Sequence, residues 1–101
     1  MSDLWDDIGF VISSRYRVIV LGRLIEGPAT PSRIAEDSGF AIAHVSRTLG
    51  KLRERMLVEL LVPEDRKKGR VYGITERGRS VWEQIETQDM VEDEAYDQRS
   101  R

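Results

Sequence analysis

The stretch TPSRIAEDSGFAIAHVSRTLGKLRERM, residues Thr30 to Met56, holds two helical patterns joined by a break at Gly39. In the second pattern Ile42, Val45, Leu49, Leu52 and Met56 recur at spacings of three, four, three and four. That recurrence is the period of one buried helix stripe. The opposite side carries Ala43, His44, Arg47, Gly50, Lys51 and Glu54, with Ser46 and Arg55 at its margins. A short helix, a tight turn and a second helix with a basic, small-residue outer face read as a helix-turn-helix. Gly39 takes the left-handed position that ends the first helix.

Upstream, Thr30-Pro31 predicts a helix start, with Thr30 as N-cap and Pro31 at the first helical position, where its missing N–H costs nothing. Ile34, Ala35 and Ser38 then face inward. The segment from Ser13 or Ser14 to about Glu26 predicts another helix, apolar on most sides through Tyr16, Val18, Ile19, Val20, Leu21, Leu24 and Ile25. A helix of that kind belongs inside the fold. Gly27-Pro28 ends it. Residues 1–12 predict an N-terminal arm or short helix, interrupted at Gly9.

Downstream of Met56 the period changes from helical to alternating. Residues 57–62 (LVELLV) and 70–75 (RVYGIT) predict two strands, and PEDRKKG between them predicts a charged hairpin turn. Thr75 caps a last helix with Val81, Trp82 and Ile85 as its stripe. Residues 88–101 turn acidic and lose periodicity, predicting a disordered tail. The expectation is an α+β, mostly helical, winged helix-turn-helix: a three-helix core, a two-stranded hairpin wing and a C-terminal helix. The domain spans residues 13–87.

Composition bounds the function. The chain has 101 residues, 40% hydrophobic and 34% charged, enough for one modest core. No apolar run approaches the ~20 residues of a membrane span, and MSDLWDD is too acidic for a leader; the expected location is cytoplasmic. There is no cysteine and one histidine, which argues against disulfides, thiol catalysis, a metal and a histidine relay. No nucleophile–base set or phosphate loop appears, and the adjacent acids Glu36-Asp37 and Asp6-Asp7 point apart on a helix. The expectation is no enzyme and no cofactor.

The net charge of −2 conceals an asymmetry. Residues 1–12 carry −3, residues 13–80 carry fourteen Lys/Arg against eight Asp/Glu (+6), and residues 81–101 carry −5. The central block alone has the electrostatic character of a nucleic-acid footprint.

Three pieces in order, SSRYRVIVLGRLIEG, ATPSRIAEDSGFAIAHVSRTLGKLRERMLVELL and GRVYGITERGR, resemble winged helix-turn-helix transcriptional regulators of the MarR/ArsR-like kind. The likeness is greatest to short archaeal members and covers about residues 13–87. Many relatives have glycine where Met56 closes the second helix, so Met56 must make that bend with a side chain. The long flanking helices of full-length MarR-type dimers have no counterpart here.

Double-stranded DNA is thus the expected partner, for a regulator that acts as a repressor. Helix 42–55 enters the major groove and wing 63–70 meets the adjacent minor groove or its phosphates. Candidate contacts on the helix are His44, Ser46, Arg47 and Lys51, with Arg47 on guanine or on phosphate. Ser32 and Arg33 meet the backbone at the preceding helix start, and Arg66, Lys67, Lys68 and Arg70 form the wing tip. Operator symmetry suggests a homodimer, with Leu4, Trp5, Ile8, Trp82 and Ile85 as its face, though either tryptophan could instead fill the core. The alternative is a protein-interaction winged helix, an adaptor in a transcription or replication assembly with weak DNA contact. No effector or target sequence is readable.

Overall fold

The computed structural model describes residues 3–88. Its elements run α1 (Leu4–Ile12), α2 (Arg15–Ile25), α3 (Pro31–Ser38), α4 (Ile42–Glu54), β1 (Val58–Leu60), β2 (Tyr72–Ile74) and α5 (Glu76–Thr87). The capping residues explain the boundaries. Asp3, Ser14, Thr30 and Thr75 each accept an amide of their helix's first turn on a side-chain oxygen. Gly39 ends α3 at φ 81° and donates its N–H to the Ala35 carbonyl at 2.9 Å. The expected acidic tail, apart from Gln88, lies outside the described residues.

One core joins these elements. Val20, Leu21 and Leu24 of α2 meet Ile34, Val45, Leu49 and Leu52, and Leu57, Val58, Val81 and Ile85 extend the cluster below them. The strands pair antiparallel in the register Val58↔Ile74, Glu59↔Gly73 and Leu60↔Tyr72. Ala29 adds an isolated antiparallel bridge to β2: its N–H donates to the Tyr72 carbonyl at 3.0 Å, and the Tyr72 N–H donates to the Ala29 carbonyl at 2.9 Å. The loop after α2 is thereby sewn to the wing's second strand. This is the winged-helix arrangement.

Several expectations are corrected by the packing. Of the two alternatives for the N-terminal segment, a short helix is formed, Leu4–Ile12, and Gly9 lies inside it without interrupting it. α2 is less enclosed than its composition suggests, since Tyr16 and Ile19 are exposed on one flank. The strands are three residues each rather than six, although the Leu61 N–H still reaches the Val71 carbonyl at 2.7 Å.

The α4 stripe is shorter than its period implied. Val45, Leu49 and Leu52 are fully buried, and Thr48 joins them, but Ile42 is 50% and Met56 66% exposed. Ile42 is the first residue of its helix. Met56 stands beyond the last turn, where the chain reverses: its φ is 64°, its N–H donates to the Arg53 carbonyl at 2.9 Å, and the Leu57 N–H reaches Leu52 at 3.0 Å. The left-handed bend that glycine would make without strain is thus made by a methionine.

A buried carboxylate fastens α1. Asp7 is 1% exposed, and its two oxygens accept from Arg55 at 3.3 Å and Arg77 at 2.8 Å. Arg55 and Arg17 also lie over the Phe10 ring, at 4.3 and 4.0 Å from its centroid. Arg17 further donates to the Phe10 carbonyl at 2.8 Å. The ends of α1, α4 and α5 are therefore tied at one point.

Of the five residues expected at a subunit face, Ile8 and Ile85 are 2% and 0% exposed. Their side chains belong to the chain's own core, and that part of the expectation is corrected. Trp82 is half-buried with its indole against Gly22, where an added Cβ would stand 2.7 Å from the ring. Leu4 is half-buried, and Trp5 is 57% exposed.

Candidate nucleic-acid interface

The candidate contact residues come from α4, the start of α3 and the wing. α4 is positioned by its buried face, so Ala43, His44, Ser46, Arg47, Gly50 and Lys51 are all turned to solvent. Arg47 and Lys51 are one turn apart and make no ion pair with a described residue. Ala41, the N-cap, offers no side-chain hydrogen bond, so the first turn of α4 opens with backbone amides and small apolar groups. Such an end carries positive dipole character.

His44 departs from the expected free base-edge group. Its ring stacks on Tyr16, 4.9 Å between centroids and 4° between planes. Tyr16 in turn meets Phe40 edge-on at 4.6 Å. The exposed flank of α2 thereby braces the turn and the start of α4. His44 keeps an exposed edge, but its orientation is set by this stack.

At the start of α3, Ser32 is exposed and Arg33 is tethered. The Arg33 amide donates to Thr30 Oγ1 at 3.2 Å, so that amide is committed to the cap and not to an incoming phosphate. Its guanidinium stands 3.4 Å from Glu36 and 3.9 Å from Asp37. Asp37 is held more closely by Arg23, at 2.9 Å.

The wing sorts its cations into two kinds. Arg70 donates to the carbonyls of Arg66 at 2.7 Å and Glu64 at 2.8 Å, and Arg66 donates to the Lys68 carbonyl at 3.1 Å. These guanidiniums hold the loop's shape, with Gly69 at φ 65° completing the turn. Lys67 and Lys68 are exposed and without an ion pair to a described residue. At the wing's base Glu64 accepts from Arg53 at 2.7 Å, which ties the hairpin to the last turn of α4. The Arg53 guanidinium holds the Glu64 carboxyl below the usual carboxylate range, and Glu64 raises Arg53 in return.

Sequence reasoning missed three features. Asp7 read as half of an incidental acidic pair, and only its spacing from Ile8 and Val11 hinted at burial. Tyr16 read as part of an apolar core helix, with nothing to announce its ring contacts to Phe40 and His44. Ile42 matched the core period and lies outside it. Among the described residues, no group of three or more His, Cys, Asp or Glu is placed to hold a metal ion. No described helix is long and apolar enough to cross a membrane.

Residues 5–96 match the model of a family described as the HVO_A0261 N-terminal domain. No curated protein matches the chain. Among solved structures, a mutant of Lactococcus lactis ZitR superposes with a TM-score of 0.70 at 22% identity, covering 84% of this chain and 58% of that one. A ZitR mutant in complex with DNA gives 0.66 at 22% identity, with coverages of 84% and 58%. The chain thus spans well under two thirds of ZitR. The MarR family transcription regulator SP03579 gives 0.71 at 15% identity, covering 92% and 65%. The reduced form of the transcriptional regulator YodB from B. subtilis gives 0.72 at 17% identity, covering 89% of each. At these identities the likeness establishes a common fold, the winged helix.

Proposed function

The chain belongs to the HVO_A0261 N-terminal domain family, and from that premise we propose that it is a double-stranded DNA-binding transcription regulator, not an enzyme. α4 enters the major groove, the wing meets the neighbouring backbone, and binding represses by covering a promoter. The observation that carries this reading is the pairing of Arg47 and Lys51 on α4 with Lys67 and Lys68 on the wing. These four exposed cations make no ion pair with a described residue, on two elements joined by Arg53–Glu64. Arg66 and Arg70 support the wing's shape, and Ser32 and Ser46 offer hydroxyls to phosphate or base edges. That ZitR, a structural relative, is solved with DNA is in keeping with this use of the fold.

The reading includes a homodimer. Trp5 and Ile12, 57% and 42% exposed, lie seven residues apart on α1 and so on one helix face, and Leu4 borders them. Sedimentation at ~100 µM should show a dimer, since a useful operator-bound pair needs a sub-micromolar constant. A monomer there removes the dimer from the proposal without touching DNA binding.

The direct test is fluorescence anisotropy on duplex DNA across salt. Log affinity should fall with log salt at a slope of about −0.9 per phosphate contacted. Arg47→Ala should weaken binding at least about tenfold, the size of one good charged contact; undiminished binding sinks the assignment of α4. The same exposed Trp5–Ile12 stripe favours a second reading, an adaptor that docks a protein partner there. A stable partner together with salt-insensitive, negligible DNA binding would select it.

A further inference from the structure

We propose that the apolar tip of α4, Ile42 with Ala43 beside it, reads the 5-methyl group of thymine in the major groove. The inference rests on the DNA-binding reading and names a feature of the sequence that reading leaves open.

Ile42 is anomalous for its helix. The other large aliphatic side chains of α4 are completely buried, whereas Ile42 is left half in water at the first helical position. Leaving half of an isoleucine exposed forgoes on the order of 1 kcal/mol of burial. Its immediate neighbours are apolar too: the preceding Ala41 and the following Ala43 are both exposed and neither can donate a side-chain hydrogen bond.

The flanks identify the occupant. Ile42 forms one wall of a shallow groove lined also by Thr30, Ser32, Arg33, Ala35 and Glu36 of α3 and its cap, with Arg33 and Glu36 paired at 3.4 Å. Arg47 follows one turn beyond Ala43 on the outward face. An aliphatic group beside two hydroxyls and a neutralised ion pair, with a cation one turn along the helix, complements an apolar spot set among phosphates. Thymine is the base that presents such a spot, its C5-methyl, in the major groove. A protein partner fits less well, because protein docking sites are contiguous apolar patches, and here the neighbours are alanines, a serine and charged groups.

The experiment starts from duplexes enriched from a random library by the purified chain. In an enriched duplex, each thymine is replaced singly by deoxyuridine, which removes the methyl and preserves the base pair. At one position per half-site, uracil should weaken binding about fourfold, the value of one buried carbon group. Ile42→Ser should bind the thymine and uracil duplexes equally at that position, and Ile42→Val should keep the distinction. The salt slope of Ile42→Ser should match the parent, because no phosphate contact is lost. Both substitutions are at a half-exposed site, so thermal melts should confirm that the variants fold. Uracil tolerated at every position, or discrimination retained by Ile42→Ser, overturns the inference while leaving DNA binding intact. Enrichment of no duplex at all overturns the DNA-binding reading and this inference with it.

Discussion

The Asp7 cluster and the wing tip are both rich in arginine, yet they use it differently. Around Asp7, Arg55 and Arg77 converge on one buried carboxylate and Arg55 and Arg17 lie on Phe10. These cations hold three helix ends together. In the wing, Arg66 and Arg70 fold back on loop carbonyls, while Lys67 and Lys68 stay in solvent. Net charge treats all of these residues alike. The geometry shows that the basic block of residues 13–80 is partly an internal scaffold and only partly a surface available to an anion.

The sharpest way to break the contrast is Asp7→Ala. It removes the buried acceptor that two guanidiniums share, each a little over one third exposed. Breaking a fully buried pair costs 3–5 kcal/mol; partial solvation of both arginines reduces this to about 2 kcal/mol. Chemical denaturation should register that loss, and DNA affinity measured well below the melting temperature should not fall. A neutral effect on stability would show that the cluster is incidental.

The second test separates the two kinds of wing cation. Lys67→Ala/Lys68→Ala should leave the melting temperature unchanged and reduce the salt slope of DNA binding by about 1.8, two phosphates' worth. Arg70→Ala should instead loosen the loop, since it removes donors to two carbonyls, each net hydrogen bond being worth ~1 kcal/mol. Proteolysis near Glu64–Gly69 would detect this. If both variants behave alike, the sorting of scaffold from contact is wrong.

Much of this arrangement was legible before any coordinates. Thr30-Pro31, Gly39 and Thr75 announce their helix ends by chemistry that acts within a few residues, and each stands at its helix end in the fold. What periodicity could not read is where a stripe stops. Ile42 and Met56 both fit the spacing of α4's core, but burial depends on whether a neighbouring element lies opposite, and that is tertiary. The partner of Asp7 was unreadable for the same reason: Arg55 and Arg77 are 48 and 70 residues away. Met56 is the instructive middle case. The resemblance flagged it as standing where relatives have glycine, and its φ of 64° bears the strain that implies. Met56→Gly should stabilise the chain by about 1 kcal/mol by removing the left-handed penalty, a rise of a few degrees in melting temperature. No rise would mean that the exposed side chain offsets its strain elsewhere.

The smallest effect lies at the junction of the two regions, where Glu64 of the wing meets Arg53 of α4. Because Arg53 holds the Glu64 carboxyl below its ordinary range, the folded chain takes up that proton at lower pH than the unfolded chain does. The pair's contribution is therefore fully present above the unfolded glutamate value, about 4.3, and fades as pH falls through the depressed folded value. Exposed pairs contribute little, so the measurement must be differential. The melting temperature of the parent should exceed that of Glu64→Gln slightly and evenly from pH 8 to pH 5, and the gap should close below about pH 4. A gap that persists in acid would mean that the seat of the wing depends on the shape and hydrogen bonding of the side chain rather than on its charge. The wing would then belong wholly with the scaffold, and Lys67 and Lys68 would be the only part of it governed by electrostatics.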